Sequence, residues 1–172
     1  MIGRIADVAK ELFLSREMYC AEAIFCALNE ALGGGLERER ARGLAMGFGQ
    51  GLGEAGCACG AMSGAVLAAS WFLAGHMPPA EVRRVSRGIH DSFKGAHGSA
   101  CCRVLTKHVK GKRDEHFTHC AGLTRAGAEI AARAILEHRP ELARRGGAAP
   151  KSRRGSRAKA AALLRRLADK LG

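Results

Sequence analysis

The sequence predicts an all-α fold: a single bundle-like helical domain followed by a basic, partly disordered C-terminal tail. Three observations support this prediction. Apolar residues recur at helical spacing along most of the chain, no segment alternates as a half-buried strand does, and aromatic residues make up only 5% of the chain while Ala, Gly and Leu are abundant. This composition is typical of closely packed helices with small side chains. The 172 residues are enough for one ordinary core.

The two N-terminal helices carry apolar stripes. The second, within EMYCAEAIFCALNEALGGG, places Cys20, Ile24 and Leu28 on one face and ends at Gly33–Gly35. A short charged helix at 36–48 then leads into a glycine-rich loop. The stripe of the first helix consists of Ile5, Val8, Ala9, Leu12 and Phe13.

The longest stretch without a charged residue runs from Ala55 to Ala80. We expect it to contain a buried central helix over 59–74. A membrane span is the disfavoured alternative, because glycines interrupt the stretch and two prolines, Pro78 and Pro79, follow the helix.

Three more helices are predicted in the second half. Pro79 suits the first position of a helix that continues to about residue 98, and a short helix covers 101–108. A long amphipathic helix over 117–139 stops before Pro140. Between these last two helices, the charged segment 109–116 is predicted to be a loop.

The formal net charge of +12 is concentrated in the last 35 residues, which hold eleven Lys and Arg against two acids, whereas the first 137 residues carry only +3. We therefore divide the chain into a helical four-cysteine domain at 1–139 and an appendix at 140–172. The appendix consists of a basic linker and a short amphipathic helix with leucines on one face. Its basic run can contact nucleic acid or an anionic membrane, but a solubilising extension is the favoured interpretation.

Seven cysteines are many for a chain of this length. The N terminus has charges every few residues and no apolar signal sequence, which predicts a cytoplasmic protein. Structural disulfides are rare in a reducing compartment, so metal binding or redox chemistry is the favoured use of these thiols. Cysteine is also a common buried small apolar residue, so some of the seven are expected to be bystanders.

Several familiar motifs are excluded. The segment GLGEAG at 51–56 matches a dinucleotide-binding pattern by letters, but no strand precedes it and no βαβ unit surrounds it. The chain contains no C-x-x-C pair, and AMSGA at 61–65 lacks the first glycine of a hydrolase nucleophile elbow.

Four cysteines fall on four separate predicted helices: Cys20, Cys59, Cys102 and Cys120. In a bundle, four helices can bring their thiols to one point, as a tetrahedral zinc site or an iron–sulfur cluster requires. Cys59, Cys102 and Cys120 lie near predicted helix N termini, where the helix dipole lowers the pKa of a thiol. The separations of 39, 43 and 18 residues match no local ligand loop, so scattered core cysteines are the alternative.

The segment CGAMSG at 59–64 follows a glycine-rich loop. Together with Cys20, Cys102 and Cys120 in the same order, it resembles the family of redox-active proteins named for the pattern C-GCAxxG-C-C, over most of residues 5–137. The resemblance implies a helical fold, redox activity through the four cysteines, and an unknown redox partner that is linked to a transporter system. Some relatives are joined to c-type haem domains, which is consistent with electron transfer.

Three cysteines lie outside the family pattern: Cys26, Cys57 and Cys101. Cys57 and Cys101 are near family cysteines in sequence and are candidate extra ligands or resolving thiols. Within the motif, Gly60 would let the backbone approach the site, and Gly64 would let a neighbouring helix pack closely.

Three functions stay open for Cys20, Cys59, Cys102 and Cys120. The favoured one is an iron–sulfur cluster, or another metal, that transfers single electrons. A metal-free dithiol/disulfide protein needs only two cysteines within bridging reach, and a zinc-stabilised helical module needs no redox chemistry. The cluster is favoured because four separated cysteines are more than a dithiol requires.

Overall fold

The computed structural model describes residues 1–145 of the chain. Over these residues the elements are helices and turns with no strand, which confirms the predicted all-α fold. The predicted linker beyond residue 145 and the predicted terminal amphipathic helix lie outside the described residues.

The helices are numbered in chain order, and two 3-10 turns at Met46–Phe48 and Lys107–Val109 lie between them. The helices are α1 (Ile2–Leu14), α2 (Cys20–Leu32), α3 (Arg38–Ala45), α4 (Gly49–Leu52), α5 (Gly60–Leu73), α6 (Pro79–His97), α7 (Cys102–Leu105), α8 (Arg113–His138) and α9 (Leu142–Arg145).

Four long helices form the core: α8 packs against α1, α2 and α5, and α2 also packs against α1 and α5. Every residue of α2 except Glu30 is buried, so this helix passes through the middle of the domain. Helix α6 covers α5 and α8 from outside, and α3 covers α2. None of the described helices has the length and apolar content that a bilayer crossing requires.

Glycines set the close spacing of these helices. A Cβ atom at Gly64 of α5 would lie 2.6 Å from the Cα atom of Ala21 in α2. A Cβ atom at Gly127 of α8 would lie 2.5 Å from the carbonyl oxygen of Ala61 in α5. Since real Cβ atoms do not approach so closely, α5 can lie against both neighbours only because these positions lack a side chain.

The start of α8 differs most from its prediction, and the start of α2 bears on a candidate cysteine. Helix α8 starts at Arg113, inside the segment expected to be a loop, because Asp114 and Glu115 suit a first turn and the ring of Phe117 stacks on Phe13 at 4.8 Å. Helix α2 starts at Cys20, three residues into the segment that was predicted to contain it. These shifts matter because they change where two of the candidate cysteines lie on their helices.

The predicted linker begins with structure. Leu142 lies in α9, is 2% exposed, and joins the apolar core, so the chain turns back onto the domain after Pro140. An apolar residue two positions after the proline supplies the contact that a solvated linker would lack.

Candidate functional site

Three of the four candidate cysteines lie at helix N termini. Cys20 is the first residue of α2, Cys59 immediately precedes α5, and Cys102 is the first residue of α7. Cys120 lies in the third turn of α8, so the prediction that it is near a helix N terminus is wrong. The earlier start of α8 explains the error. The later start of α2 puts Cys20 at a terminus instead.

The four thiols are neighbours, although they come from four separate segments. Burial is the main cause that raises the pKa of Cys20, and the charges of Cys59, Cys120 and Cys102 raise it further. Burial, followed by Cys102 and Cys59, raises the pKa of Cys120 to about 12. Burial also raises the pKa of Cys59, and Cys102 adds to the rise. All six pairs among the four thiols therefore interact electrostatically, and ionising one thiol makes it harder to ionise the next.

The expectation that helix dipoles would lower these pKa values is wrong in the metal-free protein. Burial of Cys20, Cys59 and Cys120 removes the water that would solvate a thiolate, and mutual repulsion acts in the same direction. One part of the expectation survives locally. The backbone N–H groups of Ala61 and Met62, in the first turn of α5, act to lower the pKa of Cys59, although burial outweighs them.

A short antiparallel contact between two loops positions the central pair of cysteines. Ala58 and Cys101 form an isolated β-bridge. On either side of it, the N–H of Cys59 donates to the carbonyl of Ala100 at 2.8 Å, and the N–H of Cys102 donates to the carbonyl of Cys57 at 2.6 Å. These bonds tie the loop before α5 to the loop before α7, and so fix Cys59 and Cys102 in relation to each other.

The glycine-rich loop packs directly against this contact. Gly51 has a φ of +78°, and a Cβ atom there would lie 2.6 Å from the Cβ of Cys102 and 2.9 Å from the backbone nitrogen of Cys57. A Cβ atom at Gly60 would lie 2.8 Å from the carbonyl of Phe48 and 3.4 Å from the sulfur of Cys20. The packing of Gly51 against Cys102 was not predicted from the sequence. There, Gly51 was considered only as part of the dinucleotide-binding pattern at 51–56, which was rejected.

The three additional cysteines differ in their surroundings. Cys57 is exposed and lies opposite Cys102, while the thiol of Cys101 donates to the carbonyl of Gly56 at 3.5 Å. Cys26 is fully buried on α2, and its thiol contacts the carbonyl of Arg38 at 3.9 Å.

The thiol of Cys26 lies in a separate charged environment. Burial is the main cause that raises its pKa to about 12, and its further influences are charged groups of α2 and α3, not other cysteines. Cys26 is therefore outside the thiol cluster. All seven cysteines are free thiols.

The four-cysteine set fits a metal by donor type but not by its present arrangement. Within residues 1–145, no three His, Cys, Asp or Glu side chains are arranged as a group that could hold a metal ion. The donors are nevertheless four neighbouring thiols whose ionisation is opposed by burial and by each other. A bound cation would relieve both effects, and thiophilic metals favour such a set.

Comparison with known proteins assigns the chain to a family. No curated protein and no solved structure matches the chain. The family model described as putative redox-active protein (C_GCAxxG_C_C) matches residues 18–134, more than half of the chain, and this range contains Cys20, Cys59, Cys102 and Cys120. The chain belongs to the C_GCAxxG_C_C family of cysteine-motif redox proteins.

Proposed function

We propose that Cys20, Cys59, Cys102 and Cys120 form one redox site that binds metal through thiolates, as an iron–sulfur cluster used for electron transfer. The observation that carries the proposal is the convergence of these thiols from four separate segments: the Ala58–Cys101 bridge aligns Cys59 with Cys102, and each of the four thiols opposes the ionisation of the others. Zinc, in a structural site with the same ligands, is the alternative metal.

The energetics of the thiols support metal binding as their use. Four neighbouring thiols, three of them at most 9% exposed, cannot all ionise without a compensating positive charge. A cluster, when bound, supplies one-electron chemistry without a substrate pocket. The chain's own residues supply four sulfur donors, a buried setting, and the N-terminal end of α5, whose backbone N–H groups favour the thiolate of Cys59.

The first test is the metal content of the full-length protein purified without oxygen. We expect visible absorbance together with iron and acid-labile sulfide in stoichiometric amounts. If zinc is the metal found, without iron or sulfide, the site is a structural zinc site rather than a cluster. A colourless protein without metal would contradict both metal proposals.

The second test assigns the ligands. Each of the four cysteines is replaced by serine, and Cys26→Ser is the matched control, because Cys26 is a buried cysteine on the same helix as Cys20 but lies outside the cluster. Each of the four variants should lose most of the bound metal, while the control keeps it. Full metal content in all four variants would sink the proposal.

A dithiol function is the second candidate, and one contact favours it. The N–H of Cys102 donates to the carbonyl of Cys57 at 2.6 Å, so these residues are opposite each other beside an antiparallel bridge. Opposed residues of this kind have Cα atoms about 4.5–5.5 Å apart, which is within the range that a disulfide spans. Oxidation would form the Cys57–Cys102 bond and pass two electrons and two protons to an acceptor.

The dithiol function is tested by counting free thiols in the full-length protein before and after mild oxidation. A Cys57–Cys102 disulfide predicts a loss of two thiols, and the linked peptide should be found by mass spectrometry. Cys57→Ser should prevent that loss, whereas Cys26→Ser should not. An unchanged thiol count in the wild-type protein would exclude the pair.

A further inference from the structure

A cleft of about 1040 Å³ opens beside the thiol cluster, and Cys20, Cys102 and Cys120 line it. Cys59 is not among its lining residues. The volume is at the upper end of the range for sites that hold small molecules. The cleft therefore reaches three of the four candidate cysteines from the surface of the domain.

The cleft is strongly basic. Seven Arg and Lys side chains line it, against three Glu. One of these carboxylates, Glu22, is already paired with Arg42 at 2.8 Å. Lys107 and Lys110 make no ion pair with the described residues, so their charge is available to a ligand. A concave site with an excess of one charge attracts ions of the opposite charge.

Aromatic and sulfur-containing side chains form the apolar part of the lining. Phe13 and Phe117 are stacked there, and the guanidinium of Arg16 lies over the Phe117 ring, 4.6 Å from its centre. Tyr19 and Met46 also line the cleft while remaining about half exposed, at 48% and 53%. A ligand with an apolar body and an anionic group matches both parts of this surface.

Backbone strain is concentrated at the same place. Within residues 1–145, four non-glycine residues have a positive φ: Arg16, Gln50, Leu52 and Glu54. Three of them, all except Leu52, line the cleft. Each such conformation costs free energy, and in known proteins this cost is often retained at ligand sites.

We propose that this cleft binds a small organic anion with an aromatic or other apolar body, and that it brings the anion to the sulfurs of Cys20, Cys102 and Cys120. The purpose of this binding rests on the proposed redox function, but the binding itself does not. A small molecule is favoured over an acidic protein because the thiols lie inside a concave space rather than on a flat face.

The test compares two chromogenic disulfide reagents with similar aromatic bodies, the dianionic dithiobis(nitrobenzoate) and the neutral dithiodipyridine. A cysteine thiolate attacks the reagent disulfide, forms a mixed disulfide, and releases an aromatic thiol that is measured by absorbance. The full-length chain carries Cys57→Ser, which removes the exposed thiol. It is measured as isolated and after chelation, with iron, zinc and sulfide assayed on the same samples.

The decisive variant is Lys107→Gln with Lys110→Gln, and the matched control is Lys10→Gln with Lys94→Gln, two lysines that do not line the cleft. The cleft variant should react with the anionic reagent about tenfold more slowly and with the neutral reagent at an unchanged rate. The control should keep both rates. Equal rates for the anionic reagent in both variants would overturn the proposal.

Competition tests the non-covalent step. Naphthoate should slow the reaction of the neutral reagent, and naphthamide, which has the same shape without the charge, should not. Protection by polyglutamate but not by naphthoate would replace the small ligand with an acidic polypeptide, and so overturn the proposal. Charge-selective protection in a protein that contains no metal would support the cleft proposal and contradict the metal-site proposal. Bound metal in a protein whose cleft shows no charge selectivity would support the metal site and overturn the cleft proposal.

Discussion

The helical core and the sulfur end of the domain are built differently. The helical core consists of α1, α2, α5 and α8, whose apolar and small side chains pack directly against each other. The sulfur end consists of the loops at 49–59 and 98–105 together with Cys20 and Cys120. Its two loops are held by backbone hydrogen bonds between segments that are far apart in sequence. Left-handed residues are frequent in its first loop. The helices thus deliver cysteines to one end, and the loops set which of them face each other.

Two cysteines of the same helix show what this division means. Cys20 and Cys26 are both buried on α2, and burial raises the pKa of both. Only Cys20, at the end of the helix that meets the loops, has other thiols beside it. Burial alone therefore does not separate the four candidate cysteines from Cys26, whereas position at the sulfur end does.

The largest effect on stability is expected in the helical core, for Gly127→Ala. The new Cβ would meet the carbonyl oxygen of Ala61 at 2.5 Å and the Cδ1 of Ile24 at 2.9 Å, so α8 and α5 must separate. The free energy of unfolding, measured by urea denaturation, should fall by about 3 kcal/mol.

The matched control for this change is Gly122→Ala, because Gly122 is on the same helix and has no atom within 4 Å of its Cβ position. It should increase the free energy of unfolding by about 0.5–1 kcal/mol, the helix propensity difference. If both variants behaved alike, close packing of α5 and α8 would not limit stability.

An intermediate effect is expected at the sulfur end, for Gly51→Ala. The new Cβ would meet the Cβ of Cys102 at 2.6 Å, but the loop can shift more than a packed helix can. We expect a loss of about 2 kcal/mol in the free energy of unfolding, and a larger relative loss of bound metal.

Gly53→Ala separates backbone strain from the clash. Gly53 has a φ of +58°, and its nearest neighbour is the carbonyl oxygen of Gly47 at 3.9 Å. In the Gly53→Ala variant the free energy of unfolding should fall by about 1 kcal/mol, and the metal content should stay unchanged. Equal metal loss in the two variants would show that the strain, and not the contact with Cys102, disturbs the site.

The last effect is a pH dependence at the sulfur end, which is absent near neutral pH and grows above about pH 9. The pKa of Cys120 is raised from 9.0 to about 12 in the folded metal-free protein. The unfolded chain therefore ionises this thiol first. The stability associated with it is complete below about pH 9 and is lost as the pH rises toward 12.

Urea denaturation of the metal-free protein measures this dependence. For Cys120 alone, the loss should be under 1 kcal/mol near pH 9 and between about 1 and 2 kcal/mol near pH 10. Cys120→Ser should lose correspondingly less stability between neutral pH and pH 10. An identical slope in the variant and the wild-type protein would contradict the raised pKa.

Helical spacing of apolar residues was enough to predict the all-α fold and most helix positions. Helix ends were harder, because they depend on polar residues whose role is decided by neighbours. Asp114 and Glu115 look like loop residues until Phe117 stacks on Phe13, and then they form a first turn. For α2 the sequence does contain a signal for the helix start, because Glu22 lies three residues after Tyr19. In the structure the carboxylate of Glu22 accepts a hydrogen bond from the N–H of Tyr19 at 3.4 Å.

For the candidate site, too, the sequence predicted one part and not the other. The family pattern pointed to four cysteines, but no local signal could indicate that Ala58 would pair with Cys101 or that Gly51 would lie against Cys102. The expected fall in thiol pKa was wrong because burial and the proximity of other thiols are properties of the assembled domain. Neither burial nor the proximity of other thiols can be predicted from the sequence around a single helix terminus.

The bridge between Ala58 and Cys101 also fixes when the site can form. Its two sides are separated by the whole of α5 and α6, so the intervening chain must close into a large loop before Cys59 and Cys102 can meet. Contacts between distant segments form late, after local helices. Chemistry that needs both thiols therefore becomes available only once α5 and α6 have folded back on the domain, which makes a completed site a marker of a completed fold.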